Sequence, residues 1–141
     1  MRPVAWIVLF SVTIIGVAQA STYEKRVAYY QTLEGMPDFM PFCMAVTDDV
    51  IGKSRAFDRI GYVDTDQKDK PSYLSADKIP FNQVFSKAKP RKVDELVTFK
   101  AIARKRQSGV QWSALEVRCG LKNGKAIAID YREMGMLAPG G

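Results

Sequence analysis

Residues 96–132 read LVTFKAIARKRQSGVQWSALEVRCGLKNGKAIAIDYR, and their alternation decides the fold. Leu96–Arg104, Val110–Cys119 and Lys125–Arg132 each set apolar against polar residues with a period of two, as half-buried strands do. Short glycine-containing breaks separate them, so they predict a three-stranded antiparallel meander. Register follows from the need for one apolar face, because a slip of one residue turns every side chain over. A loop at Gln107-Ser108-Gly109 pairs Phe99 with Val117 and Val97 with Cys119. A three-residue loop at Lys122-Asn123-Gly124, with Gly124 in the left-handed position, pairs Cys119 with Ile127. A two-residue Asn123-Gly124 turn would pair Cys119 with Ala128 and break the match. The expected core face is Val97, Phe99, Ala101, Leu115, Val117, Cys119, Ile127, Ile129 and Tyr131. The opposite face shows Thr98, Lys100, Arg104, Trp112, Glu116, Arg118, Asp130 and Arg132. There Arg104 lies opposite Trp112, within cation–π reach, and Lys100 faces Glu116.

Upstream the period changes. Ser21–Leu33 (STYEKRVAYYQTL) repeats Tyr23, Val27, Tyr30 and Leu33 or Glu34 at helical spacing, with Ser21 or Thr22 as cap and Glu24 in the first turn. Gly35 and Pro37 end it. Pro37–Ile51 (PDFMPFCMAVTDDVI) predicts a second helix, with Asp38 as cap and Pro41 in the first turn. Phe39, Phe42, Cys43, Val46, Val50 and Ile51 form its apolar stripe. Arg55–Ile60 reads as a further helical turn, Asp64–Ser72 as a polar loop, and Ala76–Phe85 as a short helix or strand. Lys87–Lys92 is a basic connector in which Pro90 bars regular structure.

At the other end, Arg2, the apolar run Val4–Val17 and the small residues of Ala18-Gln19-Ala20 form a cleavable secretory signal. The apolar run falls short of the roughly 20 residues of a membrane span. The expected organisation is a signal over residues 1–20 and one small exported domain over residues 21–141, periplasmic or secreted. An oxidising compartment favours a bond between the chain's two cysteines, Cys43 and Cys119. By the loop-entropy model such a bond is worth about 3–5 kcal/mol. The fold class is therefore α+β: N-terminal helices packed on the meander in two layers, with Cys43 on a helix bonded to Cys119 on the central strand.

Histidine is absent, which removes the commonest general base, metal ligand and nucleophile partner. Asp48-Asp49 reads as a solvated pair on the second helix. Asp64-x-Asp66-x-x-Asp69 departs from a calcium loop, with Asp69 where glycine is needed. Met36, Met40 and Met44 have core spacing and are weak grounds for a Cu(I) site. No catalytic set, cofactor or metal site is legible, and no motif of a named family stands out.

Charge is the functional signal. Residues 87–132 hold twelve basic and four acidic groups, whereas residues 21–86 hold eight and ten. The expected partner-binding residues are Lys87, Lys89, Arg91, Lys92, Lys100, Arg104, Lys105, Arg106, Trp112, Arg118 and Arg132. They predict a non-catalytic interaction protein whose basic sheet face meets an anionic envelope partner: an acidic protein, a lipid head group or a glycan. Export disfavours nucleic acid, which basic-plus-aromatic surfaces also suit. The alternatives are a subunit of an envelope-spanning secretion or conjugation apparatus, through free strand edges, and an inhibitor of an envelope enzyme.

Overall fold

A serine followed three residues later by a glutamate starts the first helix, α1 (Thr22–Gln31). Ser21 Oγ accepts from the Glu24 N–H, and the Glu24 carboxylate accepts from the Ser21 N–H, each at 3.2 Å. This reciprocal cap satisfies two donors that the first turn leaves free. The computed structural model describes residues 21–68 and 70–137. The export signal expected over Met1–Ala20 and the acidic-loop residue Asp69 lie outside the described residues.

The second helix, α2 (Met40–Gly52), starts three residues later than its sequence suggests. Asp38 does not cap it; Phe39 stands at the cap position without a side-chain hydrogen bond. Pro41 takes a first-turn position, where a missing N–H costs nothing. Met40, Cys43, Met44, Thr47 and Ile51 are buried at helical spacing. Met40 and Met44 are thus core filling, and Met36 packs beside them. No helix among the described residues is long and apolar enough to cross a membrane.

The sheet is larger than a three-stranded meander. It has five strands: β1 (Phe57–Gly61), β4 (Asp77–Val84), β5 (Lys92–Lys105), β6 (Trp112–Lys122) and β7 (Lys125–Met136). A separate two-stranded ribbon joins β2 (Val63–Asp64) to β3 (Lys70–Pro71), within the stretch expected as loop. β5, β6 and β7 are the predicted meander. The outer edge of β5 is shared by two further strands, β4 on Lys92–Thr98 and β1 on Ile102–Lys105. Fourteen residues of β5 span about 46 Å, so neither short strand covers that edge alone.

β1 replaces the helical turn expected over Arg55–Ile60, and its misreading has a physical cause. Phe57 and Ile60 both pack on the core, which is helical spacing. The register shift between Phe57 and Arg59 inserts one extra residue, and that lets strand residues three apart share a face.

The β5–β6 register matches expectation: Val97 opposite Cys119, Phe99 opposite Val117, Lys100 opposite Glu116 and Arg104 opposite Trp112. The β6–β7 turn does not. Lys122 pairs with Lys125 across a two-residue Asn123-Gly124 turn, both residues at positive φ (52° and 75°), as the hairpin twist prefers. The apolar faces still match because a register shift follows at once, after which Gly120 pairs with Ala128 and Cys119 with Ile129. Ile127 is the displaced residue. It leaves the expected core face and packs in a second cluster with Phe85, Val93, Leu96, Ala128 and Phe81.

Both helices lie over one face of the sheet, and the main core forms there around Val97, Phe99, Leu115, Val117 and Ile129. Cys43 and Cys119 meet in its middle as a disulfide, with Cα atoms 5.9 Å apart across 76 residues of sequence. The second cluster forms on the other face, over Gly120. A Cβ there would sit 2.7 Å from Val93 and 2.9 Å from Phe85, so the bare glycine lets the β4–β5 hairpin curl across the sheet.

Candidate functional site

The predicted basic residues fall at two ends of the sheet and on the open face between them. At the end formed by the β5–β6 turn, the cations are engaged within the fold. Arg104 makes a two-pronged bond to Asp58 at 3.0 and 3.1 Å. Its guanidinium turns to this carboxylate rather than to the Trp112 ring. The bond holds Asp58 below the usual carboxylate range and raises Arg104. Lys105 reaches Glu133 at 3.0 Å. Glu133 is held low first by the Ser113 hydroxyl, at 2.7 Å, and then by Lys105. Arg106 donates to the carbonyls of Gly52, Ser54 and Phe57 at 2.9–3.2 Å. Two of these carbonyls belong to the end of α2 and the residues just past it, where the helix leaves acceptors unpaired and favours a cation.

The open face carries a charge mosaic. Lys100 bonds Asp66, which raises the lysine further. Arg132 pairs with Glu116 at 3.2 Å. Arg118 lies over the Phe85 and Phe81 rings, 5.1 and 5.9 Å from their centroids, a cation–π arrangement. A groove of about 370 Å³ follows β7 on this face, lined by Glu116, Arg118, Asp130, Tyr131 and Arg132.

The other end is different. The β4–β5 turn and the β6–β7 turn converge there, joined by the Asn123 N–H donating to Asp94 at 3.0 Å and by Arg91 donating to the Ile127 carbonyl at 2.9 Å. Lys89 donates to the Ile129 carbonyl. Residues 84–92 and 121–128 hold six cations (Lys87, Lys89, Arg91, Lys92, Lys122 and Lys125) and no carboxylate. All six are exposed. Among the described residues, Lys87, Lys92, Lys122 and Lys125 form no ion pair. Sequence reasoning missed Lys122 and Lys125. The signal was present: in an antiparallel meander alternate turns lie at the same end, so the turns flanking the β5–β6 pair must neighbour one another.

One buried polar cluster also escaped the sequence. Asp48 is not solvated. It accepts from the Tyr30 and Tyr62 hydroxyls at 2.5 and 2.6 Å, with Arg26 at 3.9 Å. Burial raises the Asp48 carboxyl, and the two phenols and Arg26 oppose that rise. Burial also drives the Tyr62 phenol well above its ordinary value. The single Tyr62 hydroxyl proton is shared between Asp48 and the Met44 carbonyl, which lies 2.8 Å from the phenol oxygen. The cluster therefore pins α1, α2 and the segment after β1 together. Asp49, its neighbour, is exposed and pairs with Lys53.

No group of three or more His, Cys, Asp or Glu residues is placed to hold a metal among the described residues. In the acidic loop, Asp64 caps the Asp66 N–H at 3.0 Å, and Asp66 turns to Lys100. No family model, no curated protein and no solved structure matches the chain.

Proposed function

We propose that this is a small exported, non-catalytic binding protein, periplasmic or secreted, that docks an anionic envelope partner through the basic end of its sheet. The observation that carries the reading is the convergence of two hairpin turns with six exposed cations, four of them in no ion pair among the described residues, while the one carboxylate that joins the turns, Asp94, accepts from the Asn123 N–H. Such a concentration of one sign creates a local potential that attracts polyanions. The disulfide supports export, since such bonds persist in oxidising compartments. Arg104, Lys105 and Arg106 serve the fold in this reading, and the docking surface narrows to Lys87, Lys89, Arg91, Lys92, Lys122 and Lys125.

The test is retention on an immobilised acidic polysaccharide and co-sedimentation with vesicles containing anionic lipid, each across a salt series. Binding should weaken steeply with salt and vanish when Lys87, Lys92, Lys122 and Lys125 are all changed to Glu. Retention indifferent to salt and to those reversals would overturn the reading. A second reading, a subunit of an envelope-spanning apparatus, draws on the free edge of β7, which ends the strand order. A partner strand could add there.

A further inference from the structure

Among the described residues no strand pairs with the outer edge of β7, which is twelve residues long, an open template for strand addition that proteins usually blunt. Its first half is blunted by side chains. Arg91 covers the Ile127 carbonyl and Lys89 the Ile129 carbonyl. The Asp130 carboxylate takes the Tyr131 N–H at 2.9 Å. Ile127, Ile129 and Tyr131 alternate along the strand, so their backbone groups point away from β6 toward the edge.

The charges along the open face have a second property. One cross-strand row reads Lys100, Glu116, Arg132; the next reads Thr98, Arg118, Asp130. Signs alternate within each row. The first row ends at the edge on a cation and the second on an anion. Arg132 is largely exposed, at 68 % of its side chain, and so is Asp130.

We propose that β7 is a self-association edge. It pairs antiparallel with β7 of a second copy about a two-fold axis at Tyr131, and Lys89 and Arg91 hold it closed. In that register Asp130 of each chain meets Arg132 of the other, and both rows continue with alternating sign across the seam. Tyr131 exchanges backbone bonds with its own counterpart, and its N–H leaves Asp130 as Asp130 gains a partner arginine. An isologous contact of this kind needs a self-complementary patch, and the Asp130/Arg132 alternation supplies one. Lys89 and Arg91 belong also to the basic end. On the proposed function, a polyanion bound there competes with the Ile127 and Ile129 carbonyls for these two cations and thereby frees the edge.

Sedimentation equilibrium tests both parts. The Lys89→Ala/Arg91→Ala protein should shift from the mass of one chain to that of two. In that background, Asp130→Arg and Arg132→Asp should each remain monomeric alone. Mixed, they should form a heterodimer, because one chain then offers two arginines and the other two aspartates. A folded Lys89→Ala/Arg91→Ala protein that stays monomeric overturns the proposal, and so does a mixture that fails to associate. The wild-type chain should dimerise on adding a soluble acidic polysaccharide. If the polysaccharide does not bind, the proposed function fails while the variants still decide the edge. If it binds and the chain stays monomeric, the coupling is wrong.

Discussion

The two ends of the sheet carry similar charge and put it to different uses. At the β5–β6 turn, Arg104, Lys105 and Arg106 are bound to Asp58, to Glu133 and to backbone carbonyls at and beyond the end of α2. At the opposite end, Lys87, Lys92, Lys122 and Lys125 form no ion pair among the described residues. A run of basic residues in a sequence is therefore not a docking surface by itself. What matters is whether the fold brings acceptors to it. The tied end receives them from β1, α2 and the far half of β7, elements that arrive from elsewhere in the chain. The free end is built from two turns whose own sequences contain no carboxylate, and the Asp94 carboxylate that joins them is taken by the Asn123 N–H.

The largest effect should strike both ends alike. The disulfide ties α2 to the sheet between them, and its 76-residue span puts its worth at about 4–5 kcal/mol by chain entropy. Cys43→Ala/Cys119→Ala should lower the urea-unfolding free energy by that order and raise amide exchange along all of β6. Loss of protection at one end alone would show that the ends unfold as separate units. Next comes Gly120→Ala. The added methyl meets Val93 and Phe85, and overpacking of this kind costs about 1–3 kcal/mol. Exchange should rise in the β4–β5 hairpin and leave the β5–β6 turn unchanged. Arg106→Ala is the mirror experiment. It removes donors from three carbonyls, but water replaces them at this exposed site, so the cost should be about 1 kcal/mol. The loosening should appear at the end of α2.

Acid is a gentler probe of the same contrast. Asp58 and Glu133 both have folded-state values below their unfolded ones. Their stabilisation is thus full above the ordinary carboxylate range and is lost as pH falls through the folded values. Asp48 has the opposite sign. Its raised carboxyl favours the fold at low pH, and that contribution is lost as pH rises through its folded value. Global melting mixes these terms, so exchange should be followed residue by residue. The β5–β6 end should loosen on acidification while the two basic turns do not. Asp48→Asn should remove the opposing term and steepen the global acid loss.

Much of this was legible in the sequence where a single face repeats. The alternation Val97–Phe99–Ala101 against Leu115–Val117–Cys119 set the central register and put Cys119 on the core face, while the Cys43 partnership followed from there being two cysteines in a chain expected to be exported. Legibility failed where an irregularity shifts the period. The extra residue near Phe57 makes β1 imitate a helix, and the one at Ile127 corrects a turn that alternation alone would reject. β4 was half legible: Ala76–Phe85 reads as a short helix or strand, and all but one of the residues of β4 are exposed, so no apolar face decides between the two. The fate of the basic residues was beyond local pattern altogether. Asp58 lies 46 residues from Arg104, and nothing in either neighbourhood announces the pair.

The smallest effect discriminates best between the ends. Lys122→Glu breaks no bond in the fold, so an ordinary surface substitution would change stability by less than about 0.5 kcal/mol. Here it should do so with a definite sign. Five like charges remain on the two turns, against the single Asp94 carboxylate that joins them, and the new carboxylate relieves their repulsion, raising stability by a few tenths of a kcal/mol at low salt. At 1 M salt the screening length falls to about 3 Å, and the gain should disappear. Lys105→Glu should behave oppositely at low salt, because it sets two carboxylates together at Glu133. Equal and opposite responses to salt would show that the end formed by the β4–β5 and β6–β7 turns carries charge the fold does not need. If Lys122→Glu instead destabilises the protein at low salt, the Asp94 carboxylate held at Asn123 already balances the charge at that end, and the surface proposed for docking is satisfied from within.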